Sequence, residues 1–501
     1  MKTMLILGLS CTGLIFNSVA QPGTSLVLNS MAQNSIINEA SKLEEKGQFK
    51  AAAQVLSGAI ESKKYSGAEL KKLEFDLDRL DRIKKDYPYT QDGLFSDLQG
   101  AVKDLTEYEY EKWVKGGWFD SRDIDGTTYF VESSVSNLFF RHPELDNRRT
   151  NPKDQARINL RFLENCESIR NAAREAKTPY VLPKTFHVKM KVAAKADAAP
   201  AGEIIRAWVP IPRNYPFEKD FKLISSSLPP KNIDDENSPI RSVYFEKAAE
   251  KGKPTQFNID YQFTAYGVWF DLKPDAIKPY DASNAEFKQF TSEAPHVVFT
   301  PEIKALSAKI VGNETNPMLK AKKIYDYLSD TLHYSYAREY STLRNISDYC
   351  RSNGYGDCGQ QALLFITLCR YNGVPARWQT GWNMFPGDVT NHDWSEIYLA
   401  PYGWVPVDQY MGNYAMTYAT SVSKEKREEL RDFYFGGLTQ YRMVANSDHS
   451  QELRPAKKTM RSDDVDFQRG ELEYGDKNLY FGKFSYKFTY DEIPTPQLKL
   501  P

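Results

Sequence analysis

Read from the N-terminus, apolar positions first recur at three- and four-residue steps. The run NEASKLEEKGQFKAAAQVLSGAI, with Gly47 between its halves, predicts two short antiparallel helices over about residues 29–64. No second copy follows at a fixed period, so a repeat array is not expected. Further amphipathic runs over 67–85, 94–115 and 153–177 make residues 21–178 a mainly helical region. Near Val181 the period drops to two. KTFHVKMKVAA, EIIRAWVPIP, FKLISSS, SVYFEKA and TQFNIDYQFTAYGVWFDL alternate apolar with polar side chains and are separated by turn-rich gaps such as LPPKNIDDENSP. An antiparallel β-sandwich is expected over 179–290. Helical periodicity returns in TPEIKALSAKIV and PMLKAKKIYDYLSDTL, and Ala362 to Cys369 reads as a mostly buried helix closed by Gly373 and Pro375. Strands follow at 376–383, 392–400 and 404–408, the last two joined by a tight turn at 401–403. A charged helix then opens the tail, which ends in strand-like segments including LYFGKFSYKFTY. The chain is therefore expected to be a multidomain α+β protein, with a core over 291–422 and a C-terminal extension over 423–501 that completes it.

Composition narrows the partners. A formal charge of -1 over 501 residues provides no large basic field, which argues against nucleic acid. Residues 1–20 run from Lys2 through an apolar stretch at 4–16 to Ser18-Val19-Ala20, the layout of a cleavable secretory signal. No stretch reaches the length of a membrane span, so an exported protein, periplasmic or secreted, is expected. Cys11 raises lipid attachment as an alternative, but Gly8-Leu9-Ser10 before it match a lipidation box poorly. Aromatic residues make up 13% of the chain, in keeping with sheet-rich cores and with glycan- or protein-contacting surfaces on the accessory regions. The short helix pair around Gly47 looks like a single tetratricopeptide-style unit.

Removal of the signal leaves Cys166, Cys350, Cys358 and Cys369, whose spacings match neither a disulfide framework nor a Cys-x-x-Cys metal site. Cys358 stands apart. Gly354 and Gly356 give the backbone a turn, Asp357 is positioned as an N-cap, and Cys358 falls on the first helical turn. There the unpaired N–H groups and the helix dipole are expected to favour thiolate and to hold an oxyanion. Cys369, in the helix body, has neither advantage. A base and an orienting acid are also in place. His392 is expected to open a strand and Asp408 to close the next, so a hairpin can bring carboxylate to imidazole. The other histidines of the six, His142, His187, His296, His333 and His449, lack a cysteine and an acid in comparable sequence context.

GDCGQQALLFITLCRYNGVPAR followed by NHDWSEIYLAPYGWVPVD resembles the catalytic core of the transglutaminase-like superfamily, over roughly residues 300–415, in its exported bacterial form. The resemblance implies a papain-like fold with Cys358 as nucleophile, His392 as base and Asp408 as orienter. It implies acyl transfer or hydrolysis at amide bonds through a thioester, on a protein or peptide substrate and without a cofactor. The Cys358 N–H and a second donor would hold the oxyanion; Tyr334, Tyr336 and Gln360 are the candidates. Trp394 and Trp404 are candidate walls of the site, with plain core packing as the other role. Arg377 is expected to pair with a core acid. Asp463, Asp464 and Asp466 lack EF-hand spacing, so no metal is expected. A peptidase or amidase is favoured over a cross-linking transglutaminase and over a catalytically silent binding or scaffold protein.

Overall fold

In the computed structural model, residues 22–151 and 156–495 are described; the expected signal and Cys11 lie outside them. Two compact units partition the chain. The first comprises residues up to Asp81 together with 123–127. Its helices Pro22–Glu45 and Phe49–Glu61 turn at Gly47, whose φ of +74° is left-handed and whose missing Cβ would lie 2.8 Å from the Asp123 carbonyl. Phe49, Ala52, Leu56 and Leu73 are buried between helices, and Arg79 makes buried ion pairs with Glu44 and Asp76.

The second unit, Arg82–Arg122 and Thr128–Pro501, holds the rest. Its N-terminal part, among the described residues, holds the α-helices Gln91–Ala101, Glu107–Lys115, Ser134–Arg141 and Ala156–Ala176 and a short 3-10 helix, Pro143–Arg148. Thr90 and Thr106 cap the first two through their side chains. The mainly helical expectation missed the short strand pair Ser121–Ile124 and Thr127–Phe130, which turns on Gly126 at φ +90°.

Two five-stranded sheets follow. One centres on Tyr180–Ala194 paired antiparallel with Thr255–Trp269; the other on Ile204–Pro210 paired with Ser242–Ala248. The two-residue period explains their packing. Phe186, Val188, Met190 and Val192 point inward from one strand, and Phe257, Ile259, Tyr261 and Phe263 from its partner. Each such side chain contributes about 1.5–3 kcal/mol on burial.

The core is a four-stranded antiparallel sheet in the spatial order Gly403–Val407, Asp388–Leu399, Ala376–Phe385, Arg442–Ser447. Helix Cys358–Tyr371 packs on it, buried from Cys358 to Arg370 because its apolar residues occupy all faces. Two boundaries differ from expectation. The His392 strand begins at Asp388, because FPGD forms the hairpin turn, so His392 sits within the strand. Asp408 does not end a strand but caps an unanticipated helix, Gln409–Thr417. The tail after 423 divides between regions: Arg442–Ser447 joins the core sheet, whereas Gly437–Leu438, Glu471–Tyr474 and Phe484–Ile493 pair with sandwich strands.

Candidate active site

Local chemistry sets the position of Cys358. The preceding helix Ile346–Asn353 stops at Gly354, φ +70°, and Tyr355–Gly356 then pairs in parallel with His333–Tyr334. Asp357 starts the next helix with a capping box: its carboxylate accepts from Gln360 N–H at 2.9 Å, and Gln360 Oε1 accepts from Asp357 N–H at 3.3 Å. The Tyr340 hydroxyl donates to the same carboxylate at 2.7 Å. Gly359 must lack a side chain, since a Cβ there would lie 2.7 Å from the Trp378 ring and 2.8 Å from Asp393 Oδ2.

His392 Nε2 lies 2.8 Å from Asp408 Oδ2, and that oxygen also accepts from Arg442 Nη2 at 2.7 Å. Asp408 Oδ1 accepts from Met411 N–H at 3.0 Å. All three side chains are buried. Burial works against the Asp408 carboxylate, but His392 and Arg442 outweigh it and hold the group below its ordinary range. Burial pushes His392 down, with Asp408 opposing and Arg442 adding to the fall, so the imidazole is neutral near pH 7. With Nε2 committed to Asp408, Nδ1 is the nitrogen left for proton transfer.

Asp393, the next residue, faces the sulfur. Cys358 Sγ donates to Asp393 Oδ2 at 3.6 Å and makes no hydrogen bond to His392. Burial, then the Asp393 and Asp357 carboxyls, push the Cys358 thiol well up. The expected acidic thiol is thereby corrected: the helix start is enclosed and flanked by acids, and both effects oppose the dipole. Asp393 accepts from Thr380 Oγ1 and from Gln468 Nε2, the latter at 2.6 Å, and burial raises it to about 8. Tyr410, first turn of the helix that Asp408 caps, lies ring to ring 5.6 Å from His392, and burial, with Asp388 adding to it, pushes its phenol well up.

Cys358 and Asp393 open on a cavity of about 450 Å³ whose lining includes Tyr334, Tyr336, Tyr340 and Trp382. Tyr334 and Tyr336, the two tyrosines singled out from sequence, therefore line the same cavity as the thiol. Gln360 does not: it is buried in the capping box, off the cavity and off the helix surface. Trp394 is buried behind the imidazole, rings 5.9 Å apart, with the Arg442 guanidinium 5.3 Å from its ring. Trp404 is not a wall of this cavity. It lies toward the far end of its strand, donating to Glu286 Oε1 at 3.1 Å, with the Arg377 guanidinium over its ring at 4.0 Å. Arg377 pairs with Glu396 at 2.7 Å. Four other histidines do have acidic neighbours within 4 Å, namely His142, His187, His296 and His449. Sequence reasoning missed Asp393, Tyr410, Tyr340, Gln468 and Arg442; Asp393 alone carried a signal, its place beside His392.

The family model of the transglutaminase-like superfamily matches residues 304–409. The uncharacterised protein YebA of Bacillus subtilis is 28% identical over 129 residues, which cover 22% of this chain and 17% of that one. An uncharacterised protein of Haemophilus influenzae is 24% identical over 181 residues, 30% of this chain and 48% of that one. The chain thus spans less than half the length of these curated relatives. Among solved structures, a candidate cysteine protease from Cytophaga hutchinsonii aligns at TM-score 0.42 and 14% identity, covering 64% of this chain and 94% of that one. The periplasmic domain of TgpA from Pseudomonas aeruginosa aligns at TM-score 0.27 and 13% identity, covering 54% and 96%. The protein is α+β and contains a transglutaminase-like core. Among the described residues no helix is long and apolar enough to cross a membrane, and no group of three or more His, Cys, Asp or Glu is placed to hold a metal ion.

Proposed function

We propose that the protein is an exported thiol-dependent amidase or peptidase in which Cys358 is the nucleophile, His392 the base and Asp408 the residue that orients it. The observation that carries this proposal is the buried His392–Asp408 pair, 2.8 Å apart, with the residue after His392 in contact with Cys358 Sγ. The Lys2, apolar and Ser18-Val19-Ala20 pattern supports export.

Thiol and imidazole both start neutral. The Cys358 side chain turns from Asp393 toward His392, and Nδ1 takes the thiol proton as Sγ bonds to the amide carbon. The Cys358 backbone N–H, at the helix start, and the Tyr334 hydroxyl hold the carbonyl oxygen as it gains charge. The C–N bond then breaks, the imidazolium returns the proton to the departing amine, and a thioester remains. Water, deprotonated by His392, attacks the thioester and releases the acid and the free thiol. Asp408 stabilises the imidazolium throughout.

The test is intact mass spectrometry of the full chain after mixing with an activated peptide ester or amide, for wild type, Cys358→Ala and His392→Ala. A single acyl adduct is expected on wild type, none on Cys358→Ala, and an adduct formed about 10²–10⁴-fold more slowly on His392→Ala. Equal adduct on Cys358→Ala, or unchanged kinetics in His392→Ala, would sink the assignment and favour a binding role. An added amine that captures the acyl group in preference to water would identify cross-linking instead.

A further inference from the structure

The wall of the cavity beyond the thiol is acidic, and the triad chemistry does not use it. Asp466 and Asp393 both line the cavity that Cys358 opens on. Asp466 is only 8% exposed, and its carboxylate oxygens have no hydrogen bond or ion pair among the described residues; only its backbone carbonyl is engaged, by Arg461. Arg469, on the same wall, gives both ends of its guanidinium to Glu339, at 3.1 and 3.0 Å, and lies 3.7 Å from Asp463. Its direct contacts are thus to other carboxylates, and it acts on Asp466 only from beyond ion-pair distance. Gln468, also lining the cavity and buried, donates to Asp393 while its Oε1 has no partner.

A carboxylate held nine-tenths out of water without a partner is costly, and the cost disappears when a cation enters. Burial first, with nearby Asp393 and Glu339 adding to it against Arg469, brings the Asp466 carboxyl up to about 7. The rest of the lining suits an organic cation rather than a bare metal ion. Trp382, Tyr336 and Tyr486 add aromatic side chains to the lining, the two tyrosines 46% and 39% exposed.

We propose that this cavity recognises a primary ammonium group, held between Asp466 and Asp393 beside the bond that Cys358 attacks. The proposal rests on Cys358 as nucleophile for its meaning in catalysis, though not for the binding itself. Because Asp393 Oδ2 is 3.6 Å from Sγ, the ammonium sits within about one residue of the reacting carbonyl. It belongs either to the acyl group, as the free α-amine of an aminoacyl amide, or to an amine that arrives to accept the acyl group.

The first experiment needs no turnover. Full-length protein is treated with methanethiosulfonates carrying a 2-aminoethyl, a 2-sulfonatoethyl or a neutral methyl group, and addition at Cys358 is timed by intact mass with Cys358→Ala as the blank. Each reagent's rate is divided by its rate with free 2-mercaptoethanol. The normalised cation-to-anion ratio is expected to exceed one by about 10-fold or more in wild type and to fall in Asp466→Asn. A ratio near one in wild type overturns the proposal whether or not the variant folds; so does a ratio that folded Asp466→Asn does not lower. Charge selectivity without any amide turnover would mean that the proposed activity fails while this site stands. Two further arms identify the source of the ammonium. Preference for a free-amine over an N-acetylated aminoacyl amide, lost in Asp466→Asn, assigns it to the acyl group; capture of the thioester by lysine amide over water, lost in the same variant, assigns it to the acceptor. Absence of both preferences overturns the catalytic part of the proposal.

Discussion

Asp408 carries three demands at once: it orients His392, balances the Arg442 guanidinium and caps a helix through Met411 N–H. Every partner is buried, so truncation leaves a cation without water or counter-charge. Asp408→Ala is expected to cost about 3–5 kcal/mol, because breaking a buried pair is far worse than never having had it. Asp408→Asn can keep the cap through its one amide oxygen, so it should lose less stability while still losing the anion, and the acceptor that Arg442 and His392 share. Urea unfolding of both variants, alongside acyl-adduct kinetics, separates these effects. Equal stability of Asp408→Ala and wild type would show that the Arg442 charge finds another partner. The letters at 392 and 408 were readable in the sequence. Arg442 was not, since it comes from a strand beyond two intervening helices and nothing local marks it as the second partner of Asp408.

At the level of elements, the helix of Cys358 is specified locally. Asp357 with Gln360 forms the capping box, Gly354 stops the helix before it, and the apolar run makes the remainder buried. The pairing of Ala376–Phe385 with Arg442–Ser447 is specified non-locally, with a register shift between Thr380 and Gly381. Gly381 lies opposite His392 on one side and Val444 on the other. A Cβ at Gly381 would sit 2.8 Å from the Met443 carbonyl carbon, with the carbonyl oxygen closer still. The clash is with backbone, which a rotamer change cannot relieve. Gly381→Ala should therefore destabilise by about 4 kcal/mol or more, at the upper end of single substitutions, and should move the strand that carries Arg442. Chemical denaturation checks the first, and the amide chemical shift of Met443 the second; an unperturbed melt would mean the sheet edge yields. Nothing local in the sequence marks Gly381, because the close approach comes from residues more than sixty positions away.

Across the whole molecule, several carboxyls at or near the cavity are held out of water. Burial first in each case, Asp393 rises to about 8, Asp466 to about 7 and Asp357 to about 6, against about 4 in an unfolded chain. The fold thus favours their neutral forms. Their stabilising contribution is complete below about pH 4 and is lost as pH rises through about 6 to 8. Asp464 has the opposite sign. His296, Arg461 and Ser450 outweigh its burial and hold it at about 2, so its contribution is present above about pH 4 and is lost on descent toward 2. Stability is expected to fall from pH 5 to pH 9, with Asp393→Asn flattening the slope because an amide cannot ionise. Urea midpoints at pH 5, 7 and 9 for wild type and Asp393→Asn test this, and parallel slopes would count against the buried, neutral Asp393.

What the sequence determined by itself is whatever rests on neighbours along the chain: the two-residue and 3.6-residue periods, the cap at Asp357, the hairpin that carries His392, and the motif of the core. The tertiary structure alone decided which distant groups share one enclosed space. It turned Cys358 toward Asp393, placed Arg442 against Asp408 and set Asp466 on the same cavity, and it divided the C-terminal strands between the core sheet and the sandwich. The physical reason is that periodicity and capping are short-range backbone effects, written residue by residue. Burial and charge proximity depend on which surfaces meet after the chain closes long loops, and they reversed the thiol acidity that the helix start alone had implied.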